Sequence, residues 1–268
     1  MVVGVMHPHG GGGRSCISAV LAKYFAEQGK RVLALDCSQS SRAGVAGFFS
    51  NALPEQMSFV SYLIGGCVAE MVFHDVLPLQ KGQPAVKILR GHGQGETYFQ
   101  AINQAFDAAR EEFDIVICDT TCSTPALLRE VRFDYTLVPL QGESRAVDAC
   151  MTLRDVCRDV LVSWELLGVV HIGAGVEYDD RHQIPDRLQK SSGEFFLGSI
   201  PHHRGWGGLF PCLSARYGLV SEETIAAYCS FVHRISNALE AAHSLSPREH
   251  AVPFLDGIIE ELLLPRRA

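Results

Sequence analysis

A run of four glycines followed by a basic residue and a hydroxyl is the feature of this chain best suited to chemistry. Residues 9–16 read H-G-G-G-G-R-S-C, shortly after the apolar residues 2–6 and directly before a helical stretch. Glycines allow backbone N–H groups to turn toward an anion, and the N-terminus of the next helix favours negative charge. Arg14 adds positive charge, and the hydroxyl of Ser15 is placed to hold Mg²⁺. The segment therefore predicts a phosphate-binding loop, with a flexible turn as the alternative.

The loop departs from the usual phosphate-loop pattern at its basic residue. In G-x-x-x-x-G-K-[ST] that residue is Lys, whereas position 14 here is Arg. Lys is a compact point charge, and Arg is larger and planar, so the exchange is not conservative in a tightly packed loop. Phosphate binding is expected to be more tolerant of this change than phosphate chemistry.

The elements that must position the loop follow from the hydrophobic pattern. Strands are predicted at residues 2–6, 32–36, 85–89 and 115–119, and helices at residues 16–28, 57–64 and 98–112. Strands that alternate with helices favour an α/β fold, a parallel twisted sheet with helices on both faces. Ligands of such sheets bind beyond the carboxyl ends of the strands, where the glycine loop and Asp119 fall.

Composition bounds the class of protein. The chain has 268 residues, of which 47% are hydrophobic, enough for one large α/β domain. It contains nine cysteines, an odd number without a C-x-x-C pair, which is typical of reduced thiols in a cytoplasmic protein. The sequence contains no run of 18 apolar residues, so no membrane-spanning helix is predicted. The first strand is predicted so close to residue 1 that we expect no secretory signal. We therefore expect a cytoplasmic location, with peripheral attachment to the inner membrane through a partner as the alternative.

Taken together and in order, six segments resemble the ParA/MinD family of deviant-Walker P-loop ATPases, of the SIMIBI class. The loop resembles K-G-G-x-G-K-[ST]-[ST], Lys30–Asp36 resembles the second strand, and Phe113–Asp119 with the following T-T resembles the Walker B strand. The other matches are Asp134–Leu140 and the last two strands, Gly168–Ile172 and Leu197–Pro201. The resemblance covers about residues 1–242. It implies the P-loop NTPase fold, ATP or ADP with Mg²⁺ as cofactor, and a homodimer.

Site residues can be carried over from the family one by one. Ser15 matches the hydroxyl that holds Mg²⁺, Asp119 matches the Walker B carboxylate, and Asp36 matches the first Asp of D-x-D near the metal. A cap of the strand end is the alternative for Asp119. The nucleotide would contact Gly10, Gly11, Gly12, Gly13, Arg14, Ser15, Cys16, His202 and His203. The two histidines follow the family's I-P, near the adenine, with simple solvation as their alternative.

Three positions depart from the family pattern and share one chemistry. His9 replaces the signature Lys that reaches the partner's phosphates, Arg14 replaces the loop Lys, and Ser38 replaces the second Asp of D-x-D, which positions the attacking water. His is mostly neutral at pH 7, and Ser provides no carboxylate. Losing one preorganised group commonly lowers the rate by on the order of 10²–10³. We therefore expect no catalytic residues at these positions and at most very slow hydrolysis, as in a pseudo-ATPase.

The predicted function is an ATP-binding localisation or assembly factor with a degenerate Walker A loop. An active ATPase that positions a cargo is one alternative. The other is a nucleotide-free scaffold such as a secretion-system component, because the altered loop resembles that of the BcsQ-like cellulose-secretion members. Non-specific DNA binding requires a basic surface, and the net charge of −7 without a Lys/Arg cluster makes DNA an unlikely partner.

The C-terminal tail is predicted to be separable from the domain at residues 1–243. Residues 244–253 contain Pro247 and Pro253 and indicate a linker, and residues 254–268 indicate an amphipathic helix. Its apolar stripe comprises Phe254, Leu255, Ile258, Ile259, Leu262 and Leu263. The stripe could pack on its own domain, bind a protein partner or lie on a membrane. The acidic residues Asp256, Glu260 and Glu261 disfavour anionic lipid, and a protein partner is the expectation carried forward.

Overall fold

The computed structural model describes part of the chain. The described residues are 1–7, 13–37, 44–45, 48, 60–64, 67–75, 86–91, 96–121, 129–140, 143–159, 165–172, 187–190, 196–200, 222–242 and 247–263. Within them the strands are β1 (Val2–His7), β2 (Val32–Cys37), β3 (Val60–Ile64), β4 (Cys67–Asp75), β5 (Val86–Gly91), β6 (Ile115–Thr121), β7 (Tyr135–Leu140), β8 (Glu165–Ile172) and β9 (Phe196–Ile200). The longer helices are α1 (Arg14–Glu27), α2 (Glu96–Glu112), α3 (Glu143–Asp159), α4 (Glu222–Ala242) and α5 (Pro247–Leu263).

All nine strands belong to one sheet. Their order is β3-β4-β5-β2-β6-β1-β7-β8-β9. From β5 to β9 every neighbouring pair is parallel, whereas β4 runs antiparallel to both β3 and β5. The predicted parallel α/β sheet is therefore confirmed, with an antiparallel hairpin added at one edge.

Helices cover both faces of the sheet, as predicted. On one face, Ile17 of α1 and Phe231 of α4 pack in one buried cluster with Val5 of β1. On the other face, the cluster around Met6 of β1 holds side chains of α2, α3 and α5. Successive strand residues point to opposite faces, so β1 contributes to both clusters in turn. The strand that leads into the glycine loop thus lies at the centre of a three-layer core.

Side chains from other elements pack closely against β1 and fix its position. A Cβ atom built on Gly4 would lie 2.8 Å from Cδ1 of Phe133, so the aromatic ring occupies the place of a side chain. At the amino end of the strand, the N–H of Val2 donates to Asp134 Oδ2 at 2.7 Å, and Arg110 donates to both carboxylate oxygens of Asp134 at 2.9 Å. These contacts hold the position of the strand that carries the loop.

One predicted element was wrong. Residues 57–64 were predicted as a helix, but residues 60–64 form the strand β3, paired antiparallel with the unpredicted β4. A short apolar run such as V-S-Y-L-I is compatible with a buried helix or a strand by periodicity alone. The pairing with β4 shows that the run is a strand. Its β-branched and aromatic residues also suit a sheet.

The C-terminal tail also differs from its prediction. Helix α5 begins at Pro247, inside the predicted linker, and continues through the exposed Pro253. Leu255 and Ile258 are 0% exposed, and both belong to the core cluster shared with α3 and β8. Three residues of the stripe expected to bind a protein partner, Leu255, Ile258 and Ile259, are therefore covered by the chain's own domain, whereas Leu263 is 65% exposed. An apolar stripe in the sequence does not show whether a helix packs on its own domain or binds in the groove of a partner.

Arginines of the domain pair with the acidic side of α5. Asp256 accepts hydrogen bonds from Arg154 at 3.3 Å and Arg158 at 2.6 Å. Glu261 lies 3.5 Å from Arg187. These partly exposed pairs orient the helix, and the burial of its apolar residues provides most of the stabilisation. Across the described part of the chain, none of the helices is long and apolar enough to cross a membrane.

Substitution within α5 tests whether the helix belongs to the core. We expect Leu255→Ala to lower the free energy of unfolding by about 2–5 kcal/mol, because it leaves a cavity at a fully buried site. Leu263, on the same helix, is 65% exposed, and Leu263→Ala should change the free energy by less than about 0.5 kcal/mol. Denaturant unfolding of both variants measures the difference. Equal, small effects would mean that the helix is separable after all.

Candidate functional site

Predicted site residues on two neighbouring strands lie close to the start of α1. Strand β6 lies between β2 and β1, and Asp119 of β6 is the register partner of Asp36 on β2 and Val5 on β1. Helix α1 begins shortly after β1, so its N-terminus belongs to the same edge. The structure therefore brings Asp36, Asp119 and the start of α1 together at the carboxyl ends of the parallel strands, as predicted.

Asp119 is fully buried, with 0% of its surface exposed. Ile115 and Ile117 of the same strand pack in the cluster that contains α1, and strand alternation places Asp119 on that face. A carboxylate at this depth is stable as an ion only where donors or a cation compensate its lost hydration. Its burial beside α1 is consistent with a role in the site and goes beyond what a cap of a strand end requires.

The N-cap residue of α1 has no side chain. It is Gly13, in the left-handed conformation with φ 77° and ψ 7°, and among the described residues no side-chain hydrogen bond caps the helix. Its carbonyl accepts the N–H of Ile17 at 3.0 Å, and the first turn contains no acidic residue. The first N–H groups of a helix carry partial positive charge. This helix end is built to receive an anion from outside the helix.

Arg14 adds a formal charge at the same place. The residue is only 6% exposed, and its Nη1 atom has no hydrogen-bond partner among the residues that the structure describes. A buried cation at the positive end of a helix is unfavourable unless an anion neutralises it. The guanidinium and the uncapped amides together fit a phosphate group.

Ser15 and Cys16 follow in the first turn. Ser15 is half-buried, whereas Cys16 is 4% exposed, and burial raises the pKa of its thiol to about 12. The thiol is thus neutral and unreactive at physiological pH, so Cys16 offers the site its backbone N–H alone. Its predicted place among the nucleotide contacts stays a prediction.

The donor set suits magnesium bound jointly with a phosphate. Within the described ranges, no group of three His, Cys, Asp or Glu side chains could hold a metal ion by itself. Mg²⁺ commonly takes one or two protein oxygens and completes its shell with phosphate and water. Ser15 and Asp119 supply that kind of oxygen, with Asp36 at the neighbouring register position.

Several predicted site residues lie outside the described residues. They are His9, Gly10, Gly11, Gly12, Ser38, His202 and His203. Their predicted roles are neither supported nor contradicted by the geometry.

Two features at the end of β8 were missed by sequence reasoning. The buried His171 shares a hydrogen bond of 2.8 Å between its Nδ1 and the Ser199 hydroxyl of β9, and burial lowers its pKa to about 4. The imidazole is therefore neutral and joins two strands. Next to it, Ile172 contacts the loop at Gly13. No sequence signal marks either contact, because each joins residues far apart in the chain.

The two left-handed glycines at the ends of α1 provide a matched test of the site. Gly13 and Gly29 both have φ 77°, but a Cβ on Gly13 would lie 2.0 Å from Ile172 Cδ1, whereas nothing lies within 4 Å of one on Gly29. Gly29→Ala should lower the free energy of unfolding by about 1–2 kcal/mol, the cost of a left-handed alanine. Gly13→Ala should exceed this by about 1–3 kcal/mol, because the side chain also overpacks the core. Denaturant unfolding measures both, and equal losses would contradict the tight contact.

Comparison with known proteins identifies the family of this chain. The family model described as "AAA domain" matches residues 1–162, which contain the loop, Asp36 and Asp119. No curated protein matches the chain.

Solved structures share the fold. The septum site-determining protein MinD from Pyrococcus horikoshii, complexed with Mg-ADP, is 14% identical, with 89% of this chain and 96% of that chain covered and a TM-score of 0.61. A putative plasmid partition protein from Borrelia burgdorferi, bound to AMPPNP, is 13% identical over 88% and 98% of the two chains, with a TM-score of 0.59. Cobyrinic acid a,c-diamide synthase from Mycobacterium smegmatis, with bound ADP and magnesium, is 16% identical over 92% and 97%, also with a TM-score of 0.59. The chain belongs to this AAA-domain family, with the fold of the ParA/MinD-type P-loop ATPases.

Proposed function

We propose that this protein binds ATP or ADP with Mg²⁺ at the start of α1 and serves as a homodimeric localisation or assembly factor with little or no hydrolysis. The observation that carries the proposal is the buried Arg14, whose Nη1 has no hydrogen-bond partner among the described residues, at an uncapped helix N-terminus. A phosphate would satisfy both the guanidinium and the first-turn amides.

The chain's own residues would divide the work of binding. Gly13 allows the backbone to turn, and the first-turn N–H groups of α1 would donate to phosphate oxygens. The planar guanidinium of Arg14 can donate two parallel hydrogen bonds, which suits a phosphate more than a single point charge does. Ser15 and Asp119 would hold Mg²⁺, which neutralises phosphate charge when bound. Nothing in this division of roles requires a hydrolytic step.

Three residue types disfavour fast turnover. Family members use Lys at the positions of His9 and Arg14 and Asp at the position of Ser38. Groups that act as one catalytic unit are not additive, so the loss of one already removes most of the rate. Binding depends mainly on backbone donors and a cation, which the first turn of α1 and Arg14 would supply.

Bound ligands in the structural neighbours support the nucleotide class. Mg-ADP, AMPPNP, and ADP with magnesium are the ligands named for three of them. Two of these proteins are named for septum-site determination and plasmid partition, which supports a positioning role for this chain. The net charge of −7 disfavours positioning by non-specific binding to DNA.

Binding and turnover can be measured separately. We expect calorimetry to detect Mg-ATP and Mg-ADP binding, and a phosphate-release assay to detect a rate about 10²-fold or more below that of an ordinary family member. Arg14→Ala serves as the binding control, because it removes the buried cation. Ordinary turnover by the wild-type protein would favour the active ATPase, and undetectable binding would favour the nucleotide-free scaffold.

Restoring the family residues should restore chemistry. The triple variant His9→Lys, Arg14→Lys, Ser38→Asp should raise the hydrolysis rate by about 10-fold or more, because two changes return a charged group and Arg14→Lys returns the compact ammonium that the transition state uses. Arg14→Lys alone is the matched control, since it repairs the loop without the other two groups. A folded triple variant that binds ATP yet shows no gain would mean that other parts of the site have also changed.

A further inference from the structure

Strand β8 reaches the phosphate loop through one side chain. Ile172, the last residue of β8, is 3% exposed and belongs to the buried cluster that contains α1. In the sheet, β7 separates β8 from β1, so this contact joins the loop to a strand that is not its neighbour.

The contact is made by the terminal methyl group of Ile172. A Cβ built on Gly13 would lie 2.0 Å from Cδ1, 3.4 Å from Cγ1 and 3.7 Å from Cγ2 of this residue. The Cδ1 methyl thus fills the space into which a side chain at position 13 would point. The backbone of Gly13 is left-handed, a conformation that glycine adopts readily. Changes in its dihedral angles would redirect the N–H groups that follow it.

We propose that Ile172 is a positioning residue for the phosphate site. Its Cδ1 methyl limits the movement of Gly13 and so aims the first-turn N–H groups of α1 at the bound anion. The carbonyl of Gly13 accepts the N–H of Ile17, which links the conformation of this glycine to the first turn of the helix. This inference rests on the proposed nucleotide binding, which it deepens by adding a residue without a polar group to the site.

The proposal extends the site across the sheet. His171 precedes Ile172 and is held by Ser199 of the edge strand β9 through the 2.8 Å hydrogen bond. A displacement of the carboxyl ends of β8 and β9 would therefore reach the phosphate loop through Ile172. The ordinary alternative is that Ile172 is one more core residue whose loss lowers stability alone.

A matched pair of variants separates these two roles. Ile172→Val deletes only the Cδ1 methyl, and Ile235→Val deletes the same methyl from α4, at a residue that is 1% exposed in the same cluster. Both should lower the midpoint of thermal unfolding to a similar degree. Only Ile172→Val should weaken Mg-ADP binding, by about fivefold, the lower end of couplings between linked sites. Equal affinities in the two variants would overturn the positioning role.

Amide hydrogen exchange provides a readout that needs no nucleotide. The N–H of Ile17 bonds the carbonyl of Gly13 at 3.0 Å, so its exchange rate reports the position of this glycine. Ile172→Val should accelerate exchange at Ile17 relative to Ile235→Val. If the wild-type protein binds no Mg-ADP, the proposed function fails, and the exchange rates still decide whether Ile172 holds Gly13. Unchanged exchange would refute that hold.

A double variant tests the same contact by rescue. Removal of Cδ1 leaves Cγ1, at 3.4 Å, as the nearest atom to a Cβ on residue 13, an ordinary van der Waals distance. We therefore expect Ile172→Val to raise the unfolding midpoint and the Mg-ADP affinity of Gly13→Ala, although it lowers both in the wild-type background. The penalty that remains should approach that of Gly29→Ala. Simple addition of the two losses would contradict the inference.

Discussion

The buried positive end of α1 is the constraint on which the rest of this structure depends. Arg14 lies almost wholly out of solvent at the place where the helix dipole is already positive, and within the part of the chain that the structure describes no side chain caps the amides around it. Such an arrangement is costly in an isolated domain, because a desolvated cation and partly charged N–H groups repel one another. It becomes favourable once an anion is shared between them. The fold keeps this end buried by packing α1 along its length against the sheet.

Close packing of the surrounding sheet fixes the position of the start of α1. Strand β1 is buried on both faces, Phe133 fills the space above Gly4, and Ile172 fills the space beside Gly13. Helix α5 completes the opposite face, with Leu255 at 0% exposure. Protein interiors are close-packed, so a shift of one such side chain is felt by its neighbours and not absorbed by empty space.

Binding and hydrolysis place different demands on a phosphate loop. Binding draws on backbone donors, a helix end and any suitable cation, and a planar guanidinium serves this purpose well. Hydrolysis requires charged groups placed where charge develops in the transition state. A chain that carries His9 and Arg14 in its glycine loop and Ser38 after β2 suits the first demand better than the second. The same family fold can in this way hold a nucleotide as a structural ligand.

The sequence by itself determined the parts of this protein that depend on local pattern. The strand before the glycine run, helix α1, the strand ending at Asp119 and the parallel sheet all follow from short-range periodicity, glycine punctuation and the alternation of elements. Only the tertiary structure decided that residues 60–64 form a strand, because an apolar run of this length takes the conformation that its partner β4 imposes. The docking of α5 on its own domain and the contact of Ile172 with Gly13 were likewise beyond the sequence. Each joins segments that lie far apart in the chain, and which buried surface meets which is set by the packing of the whole core.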